Sequence, residues 1–383
     1  MVTTEKKGVM ETFEWVYKNR HEYAKDLKKR SGKKLFGYFC TYMPEELMYA
    51  AGIIPLRVMG SHEPQDLTER HIYSMYCPFC RDCLAQGLAG RYDYLDGVTM
   101  AHSCIHIRQA YGSWVLHVPV AYNYYLSMPA KVQSPAARPF LVGELKYFKK
   151  SLEDFTGKAI SDQSISEAID LYNINRRLMK QVYDLSKVEN PTVTGLERMY
   201  MVLASQMMDK KEHNEFLKTF LEKEVPQRKV TRDPGIRLII IGSEDDDTEF
   251  IRMTENLGAT VVTDEHCTGT RYFWNEAPRT GDNIDDIAVR YLQKPPCPQK
   301  DWEVRRRWPQ ILQLVDDWKV QGALVIQQKF CDPHEFDIPP MMLMLKEKRS
   351  IPSLFLEFDV TVPAGQFRTR VEAFLEMLQM DTL

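Results

Sequence analysis

Cysteines occur in three separate stretches of this chain, in positions where they could hold a metal centre. The stretches read Cys77-Pro78-Phe79-Cys80-Arg81-Asp82-Cys83, Ser103-Cys104-Ile105-His106 and Phe330-Cys331-Asp332-Pro333. Thiolates are soft ligands that suit iron–sulfur clusters or zinc. In a chain that looks cytosolic, thiols placed after apolar runs favour a metal centre over disulfides. An iron–sulfur cluster would indicate transfer of single electrons, or activation of a substrate at iron, rather than plain acid–base chemistry.

The spacing of these cysteines leaves alternatives open. Cys77-x-x-Cys80-x-x-Cys83 resembles the start of a bacterial ferredoxin motif, but Gly87 stands where the fourth cysteine would be. Two cysteines with a histidine could bind structural zinc, although the paired spacing of zinc ribbons is missing. Cysteine is also a common small core residue, and we expect Cys40 and Cys297 to be structural or incidental.

Polar residues beside the cysteines have two interpretations each. His102 and His106 flank Cys104 and either donate hydrogen bonds around a cluster or belong to a polar loop. Arg81 either contacts the cluster sulfurs or supports its own loop, and we favour the loop.

Composition excludes several classes of function. The chain has 383 residues, of which 44% are apolar and 27% charged, with a net charge of −3. This balance gives no electrostatic case for nucleic acid or an anionic membrane as partner. No run approaches 18 apolar residues, and the first residues show no apolar signal core, so we expect no membrane span and no secretion. Eight cysteines are too few for a secreted disulfide scaffold, which points to reducing cytoplasm.

Common nucleotide and hydrolase motifs are missing from the sequence. There is no Gly-x4-Gly-Lys-Ser/Thr loop, no Gly-x-Gly-x-x-Gly turn, no Gly-x-Ser-x-Gly elbow and no His-Glu-x-x-His pair. If ATP or a dinucleotide takes part, we expect another subunit to bind it.

Alternating apolar and amphipathic segments predict an α/β fold with parallel sheets. In the first unit, helix is expected in the first 35 residues and at 44–51, strands at 35–39 and 53–58, and further apolar runs at 94–100 and 114–120. In the second unit, strands are expected at 236–242, 259–263, 323–326 and 353–356, and helices at 248–257 and through 367–378.

The stretch between the two units reads as helical. Ser164-x-x-Glu167 and Thr194-x-x-Glu197 both have the form of a capping box, and 216–225 extends a third helix. The charged stretch 227–235 looks like a linker. We therefore divide the chain into a helix plus first α/β domain (1–140), a helical segment (141–232) and a second α/β domain (233–383). Cys104 and Cys331 both follow strands, where a cleft shared between the domains could form.

Four motifs together resemble the 2-hydroxyacyl-CoA dehydratase and benzoyl-CoA reductase family. They are the 37–57 segment GYFCTYMPEELMYAAGIIPLR, Cys77-x-x-x-Arg81, the 258–273 segment GATVVTDEHCTGTRYF and the 329–333 segment KFCDP. Each motif alone would be weak, but they occur in the family's order from about residue 35 to the C-terminus. Within the family, the chain is most similar to the smaller cluster-bearing subunit of the ATP-dependent benzoyl-CoA reductase, known as the gamma or C subunit.

The resemblance implies two Rossmann-like or flavodoxin-like parallel-sheet domains with a helical segment, and one 4Fe–4S cluster held by three cysteines. These ligands map to Cys77, Cys104 and Cys331, while Cys80 and Cys83 exceed the family pattern, so the assignment within 77–83 stays open. The family glutamate maps to Glu46, as a candidate catalytic group. Its alternative role is a carboxylate favoured by the dipole at a helix start.

The resemblance also implies partners and a reaction. It implies a homologous cluster-bearing subunit, activator subunits that bind and hydrolyse ATP with Mg²⁺, ferredoxin as electron donor, and an acyl-CoA substrate. The leading hypothesis is reduction of benzoyl-CoA to cyclohexa-1,5-diene-1-carbonyl-CoA in anaerobic aromatic degradation. One alternative is a 2-hydroxyacyl-CoA dehydratase that eliminates water through a ketyl radical. Another is a non-catalytic subunit that relays electrons or acts as a scaffold in the same complex.

Two further runs have a functional and a plain interpretation. The run 122–125, Tyr-Asn-Tyr-Tyr, could line an acyl-CoA channel, but aromatic clusters more often form core. The run 305–307, three arginines, could bind the phosphates of CoA, but a solvated face is the interpretation we favour.

Overall fold

Two parallel β-sheets form the frame of the protein in a computed structural model, which describes residues 8–230, 233–301, 304–362 and 364–380. The strands of the first sheet are β1 (Lys34–Tyr38), β2 (Ile53–Arg57), β3 (Gly97–Ala101) and β4 (Tyr122–Leu126). Those of the second are β5 (Ile236–Gly242), β6 (Ala259–Glu265), β7 (Gly322–Gln328) and β8 (Ser353–Phe358).

The two sheets have the same strand order. The first sheet runs β2-β1-β3-β4 and the second β6-β5-β7-β8, with every pairing parallel. In each sheet the chain moves outward in one direction and then crosses to the other side, so a switch point lies between β1 and β3 and another between β5 and β7. Ligands of such sheets bind outside the carboxyl ends of the strands at these points. The predicted α/β fold with two parallel-sheet units is confirmed.

Continuous apolar runs explain the central strands. All seven residues of β5, of β6 and of β7 are buried, as strands covered by helices on both faces must be. β8 lies at an edge of its sheet and alternates between buried and partly exposed positions. The strand predictions in the second unit are therefore confirmed because the apolar pattern itself carries the signal.

Helices surround the sheets and connect consecutive strands. The α-helices of the described residues are α1 (Val9–Lys18), α2 (Arg20–Ser31), α3 (Glu45–Ala50), α4 (Pro78–Leu88), α5 (Ile105–His117), α6 (Ala137–Thr156), α7 (Asp162–Asp184), α8 (Gly195–Met207), α9 (Lys210–Thr219), α10 (Thr248–Asn256), α11 (Thr270–Phe273), α12 (Asn283–Gln293), α13 (Arg307–Asp317), α14 (Asp332–Arg349) and α15 (Ala364–Met380). Short 3₁₀ turns add Val225–Gln227 and Pro298–Lys300, and a π turn covers Phe220–Glu224.

The helical segment packs against both sheets. Helix α8 is buried from Arg198 to Met207 and contacts β2 of the first sheet and β6 of the second. Helix α7 packs on α3, and α1 packs on α8, so the N-terminal helix belongs to the same layer. These contacts join the two α/β units through α8. The domain boundaries at 140 and 232 stay a prediction, and residues 231–232 of the expected linker lie outside the described residues.

Three local expectations can be compared with the structure. Ser164 lies inside α7, whose N-cap is Ser161, because the Ser161 side chain accepts the Ser164 N–H at 3.1 Å. The apolar run 114–120 contains the end of helix α5 instead of a strand, and the strand follows it at Tyr122. The box at Thr194 is confirmed, with both reciprocal hydrogen bonds to Glu197 present.

Within the described residues, no helix combines the length and the apolar character that crossing a membrane would require.

Candidate functional site

A cavity opens beside the carboxyl ends of strands from both sheets. The open space within it, including solvent at its mouth, is about 650 Å³. Seven of the eight cysteines of the chain line this thiol cavity: Cys40, Cys77, Cys80, Cys104, Cys267, Cys297 and Cys331. The fold thus brings together thiols that are far apart in the sequence.

Cys104 reaches the cavity from the first sheet. It follows the end of β3 at Ala101 and occupies the N-cap of α5 with extended backbone angles. The first N–H groups of a helix have no partner within the helix, so the thiol stands beside free donors. This placement stabilises the thiolate form of Cys104, which is the form that binds iron.

Cys331 reaches the cavity from the second sheet in the same way. It follows β7 and forms the N-cap of α14, with Pro333 in the first helical turn. Phe330 before it has φ of 59°, a left-handed conformation that is uncommon for a bulky residue. Such backbone conformations concentrate at functional sites. The tight turn directs Cys331 to the cavity wall, on which Cys77 and Cys104 also lie.

Cys77 forms the N-cap of α4 after the long loop that leaves β2, and Pro78 begins the helix. Cys80 lies within the first turn of α4 and also lines the cavity. Cys83 is fully buried below the cavity, with its thiol 3.6 Å from the Val58 carbonyl oxygen. Within 77–83 the choice of ligand therefore narrows to Cys77 and Cys80.

The N-termini of α4, α5 and α14 meet at the cavity through Cys77, Cys104 and Cys331. Each helix end carries partial positive charge, which stabilises thiolates and bound anions. Hydrogen bonds from the thiols of Cys331 and Cys80 hold the pKa of Cys77 well below its usual value. Burial, followed by the neighbouring Cys297 and Cys77, raises the pKa of Cys104. The three sulfurs are thus close enough to affect one another.

His106 fixes the loop around Cys77. Its Nδ1 accepts the backbone N–H of Cys77 at 2.7 Å, so its proton is on Nε2, which lies 3.3 Å from Asp332. The ring thereby connects the start of α4 to the start of α14. The expected alternatives for His106 were a donor to a cluster and a loop residue, and its observed contacts are with the loop and with Asp332.

His334 supports Cys331, and no motif in the sequence singled it out. Arg271 donates to Nε2 at 3.2 Å, so Nδ1 carries the proton and lies 3.3 Å from the Cys331 sulfur. Burial, with Arg271 and Arg307 nearby, lowers the pKa of His334 well below its usual value, which keeps the ring neutral. The Cys331-x-x-His334 spacing at a helix start could have indicated this pair, because residues three apart lie on one helix face.

Basic groups that the sequence did not reveal lie at the cavity: Lys294 lines it, and Lys300 comes three residues after the lining Cys297. Lys294 donates to the carbonyl and hydroxyl oxygens of Thr41, each at 3.1 Å, and Lys300 donates to the Pro129 carbonyl oxygen at 2.9 Å. Burial lowers the pKa of Lys294 to about 7 and that of Lys300 to about 8. In the ranges that the structure describes, neither lysine forms an ion pair with a carboxylate.

Glu46 lies outside the thiol cavity, in the buried first turn of α3. Arg176 donates to one of its carboxylate oxygens, and the Tyr291 hydroxyl lies 3.0 Å from the other. Burial acts to raise the pKa of Glu46, but Arg176 and Arg290 outweigh burial and lower it. The geometry describes an ionised carboxylate in a buried ion pair, and its catalytic role stays a prediction.

Arg81 and Arg307 both make structural contacts. Arg81 donates to the Tyr76 carbonyl oxygen and to Asp359, each at 2.9 Å, and so supports its loop as favoured. The favoured solvated face at 305–307 is wrong for Arg307, which is buried between Glu265 and Asp337.

The aromatic run at 122–125 lies in β4, where Tyr122 stacks on Phe36 with ring centroids 4.9 Å apart. Tyr124 packs against Phe148 on α6, with a centroid distance of 4.7 Å. Neither tyrosine lines the thiol cavity. These contacts agree with the interpretation of the run as core. The alternation of side chains along a strand, with a period of two residues, could have suggested this from the sequence.

The donor set fits a cluster better than a single ion. Across the part of the chain that the structure describes, no three His, Cys, Asp or Glu side chains are grouped so as to hold one metal ion. An iron–sulfur cluster takes one thiolate per iron corner, so its ligands surround a volume instead of converging on a point. Thiols distributed over the wall of one cavity, at three positive helix ends, have that arrangement.

Comparison with known proteins identifies the family of this chain. The chain is 26% identical to the (R)-phenyllactyl-CoA dehydratase beta subunit of Clostridium sporogenes, over 96% of this chain and 97% of that protein. It is 26% identical to the C subunit of benzoyl-CoA reductase from Thauera aromatica, over 88% of both chains. It is 27% identical to the beta subunit of (R)-2-hydroxyglutaryl-CoA dehydratase of Acidaminococcus fermentans, over 91% of this chain and 94% of that protein. The sequence profile described as "2-hydroxyglutaryl-CoA dehydratase, D-component" matches residues 40–378, and the chain belongs to this family of acyl-CoA dehydratase and benzoyl-CoA reductase components.

Proposed function

We propose that this chain is the cluster-bearing subunit of an enzyme that reduces an acyl-CoA by single electrons, and that Cys77, Cys104 and Cys331 hold a 4Fe–4S cluster. The observation that carries the proposal is the convergence of these three cysteines, each the N-cap of a different helix, on one cavity. A cysteine that only fills space in a hydrophobic core has no reason to occupy a helix N-cap beside a cavity. Three thiolates at three positive helix ends can bind the iron atoms of one cluster, while the helix ends stabilise the negative charge of the cluster and its ligands.

When bound, the cluster supplies one-electron chemistry at low potential. The residues of the chain orient and shield it. His106 fixes the loop at Cys77, and His334 donates its Nδ1–H toward Cys331. Apolar side chains such as Phe39, Phe79 and Ile107 line the cavity and keep water away from the thiols. A dry, preorganised wall strengthens every electrostatic interaction within it.

The substrate class of this proposal is an acyl-CoA thioester. The carbonyl of a thioester can take up an added electron, which is the first step of both candidate reactions. Reduction of the benzoyl-CoA ring with ferredoxin electrons is the reaction we test first. Dehydration of a 2-hydroxyacyl-CoA is the second, because the similar proteins include two dehydratase beta subunits as well as a reductase subunit.

The partners follow from the same proposal. The chain would pair with a homologous cluster-bearing subunit and receive electrons from activator subunits that bind and hydrolyse ATP with Mg²⁺, fed by ferredoxin. The dehydratase and reductase proteins that it resembles are all named as subunits, in agreement with a complex of several chains. The thiol cavity is consistent with an assembly that works in a reducing cytoplasm.

Iron and sulfide analysis tests the cluster. The full chain is purified without oxygen, and iron per chain is measured for wild type and for Cys77→Ser, Cys80→Ser, Cys104→Ser and Cys331→Ser. We expect loss of most iron in the Cys77, Cys104 and Cys331 variants and retention in the Cys80 variant. Cys83→Ser is the matched control, because Cys83 is buried away from the cavity. Wild-type protein that contains no iron would refute the proposal.

A substrate assay separates the two reactions. The chain is incubated without oxygen with its homologous subunit, the activator, ATP and reduced ferredoxin, and with either benzoyl-CoA or a 2-hydroxyacyl-CoA. Formation of the cyclic dienoyl-CoA supports the reductase. Turnover of the 2-hydroxyacyl-CoA alone reverses the ranking, and turnover that persists when only this chain lacks its cluster assigns it a scaffold role.

A further inference from the structure

The cavity has a second set of thiols that a cluster with three cysteine ligands does not use. Cys40, Cys267 and Cys297, here called the second cysteine set, line the same cavity as Cys77, Cys104 and Cys331. From the sequence, Cys40 and Cys297 were expected to be structural or incidental. The structure instead places both on the wall of the proposed cluster site.

Two members of the second cysteine set come from loops at the carboxyl ends of strands, and the third comes from the loop after α12. Cys40 follows β1, the strand next to the switch point of the first sheet, and Cys267 follows β6 in the second sheet. Cys297 precedes the 3₁₀ turn Pro298–Lys300. Each α/β unit therefore contributes thiols to both sets, and all six meet at the edge where such sheets bind ligands.

Two lysines without a carboxylate partner lie at this cavity: Lys294 lines it, and Lys300 comes three residues after the lining Cys297. Lys294 and Lys300 are each about 2% exposed, and their ammonium groups donate to uncharged oxygens of Thr41 and Pro129. In the described residues neither joins an ion pair. A buried cation without a counter-charge is costly, so a large anionic ligand in the cavity would balance both.

We propose that Cys40, Cys267 and Cys297 ligate additional iron, so that the cavity holds a larger iron–sulfur assembly with six thiolate ligands. The inference rests on the proposed function, because it extends the same cluster site. The assembly would lie in the cavity at the three helix N-termini, with Lys294 on the lining. Its function would be to hold more electrons than one cube before they reach the substrate.

Iron content of the full chain tests this inference. A single cube gives about four iron atoms and about four sulfides per chain, and six thiolates predict about twice that number. We therefore expect anaerobically purified wild type to contain well above about four iron atoms per chain. A wild-type value of about four, with all six thiols intact, would overturn the inference while leaving the proposed function standing.

A set of variants locates the additional iron. The triple variant Cys40→Ser, Cys267→Ser, Cys297→Ser is expected to lose about half of the iron and to keep the absorption of a single cube. Cys83→Ser serves as the matched control and should keep the wild-type content, since Cys83 lies outside the cavity. Unchanged iron in the triple variant would overturn the inference. If circular dichroism shows that the triple variant does not fold, iron per chain is measured for the three single variants instead. A loss of iron in the single variants, together with a wild-type iron content well above about four atoms per chain, would then support the inference, and unchanged iron in all three would overturn it. Wild type without any iron would instead refute the proposed function itself.

Discussion

The cysteine sulfurs differ in the hydrogen bonds that they form with neighbouring side chains. Cys331 receives the Nδ1–H of His334, and a thiolate ligand that accepts such a bond is stabilised. Arg271 in turn holds the His334 ring in the tautomer that donates. Hydrogen bonds to the sulfurs are among the factors that set the potential of an iron–sulfur cluster. His334 is therefore a positioning residue whose effect should be electrochemical.

Replacing His334 by Ala tests this role. Loss of the N–H donor should shift the reduction potential of the bound cluster to a more negative value, while iron per chain stays near that of wild type. The measurement is a redox titration followed by EPR. His102→Ala is the control, because His102 lies near Tyr125 outside the cavity lining. An unchanged potential in the His334 variant would contradict the assignment.

Replacing Glu46 separates its structural from its chemical role. Glu46→Ala leaves the buried Arg176 without its carboxylate, and we expect the free energy of unfolding to fall by about 3–5 kcal/mol. Because the folded pKa of Glu46 is lowered, this stabilisation is complete above the unfolded pKa of about 4.3 and is lost as the pH falls further. Denaturant unfolding at several pH values measures it.

Glu46→Gln addresses the proposed catalytic role without removing the side chain. The amide keeps the shape of the carboxylate and a hydrogen-bond partner for Tyr291, but it cannot move a proton. Full turnover of this variant, with its iron content intact, would exclude Glu46 as the proton-handling group. A loss of turnover at unchanged iron content would support the role that the family resemblance implies.

At the scale of whole elements, helix starts determine the site. Three helices begin at the thiol cavity, and two of them have Pro at their start, next to Cys77 and Cys331. Helix α8 begins at the Thr194 capping box and is buried between the two sheets. The stability of α8 therefore affects how the two α/β units are held together.

A pair of capping variants tests this point. Thr194→Ala removes the side chain that accepts the Glu197 N–H, and it should lower the free energy of unfolding by about 1 kcal/mol. Ser164→Ala should change it by less than about 0.5 kcal/mol, because Ser161 remains the cap and the Ser164 hydroxyl contributes one solvent-exposed hydrogen bond, to the Ser161 carbonyl oxygen at 2.8 Å. Thermal or denaturant unfolding distinguishes the two. Equal decreases in the free energy of unfolding for the two variants would mean that the Thr194 capping box stabilises the protein no more than Ser164 does.

At the scale of the whole molecule, ionic contacts connect the two α/β units beside the cavity. Arg57 at the end of β2 pairs with Glu244 after β5, and His62 lies 2.9 Å from Asp246. Burial acts against the charged imidazole, but Asp246 and neighbouring carboxylates outweigh it and raise the pKa of His62 to about 10. A protonated histidine thus joins the two halves at neutral pH.

The pH dependence of stability should report this contact. Because the folded pKa of His62 is raised, its contribution is complete below the unfolded pKa of about 6.5 and is lost as the pH rises toward about 10. The melting temperature of wild type should therefore fall between about pH 6.5 and 10 more steeply than that of His62→Gln. Parallel profiles for the two proteins would show that the ion pair does not stabilise the fold.

The sequence by itself determined the α/β class and most central strands, and it singled out Cys77, Cys104 and Cys331 as candidate ligands. Strands such as β5 and β7 were predictable because a strand buried on both faces is a continuous apolar run, and that signal is local. The cap at Thr194 is local for the same reason, since its partners are three residues apart. Cys77, Cys104 and Cys331 stood out through family motifs and through their positions after apolar segments.

Only the tertiary structure decided which thiols share a cavity and which carboxylate lies outside it. Cys40, Cys267 and Cys297 have no common spacing, so no local pattern could bring them together; the carboxyl ends of two sheets do so. Glu46 looked like a site residue, but its partner Arg176 comes from a helix 130 positions away. Such convergence depends on long-range packing, which is why it is absent from the sequence and present in the fold.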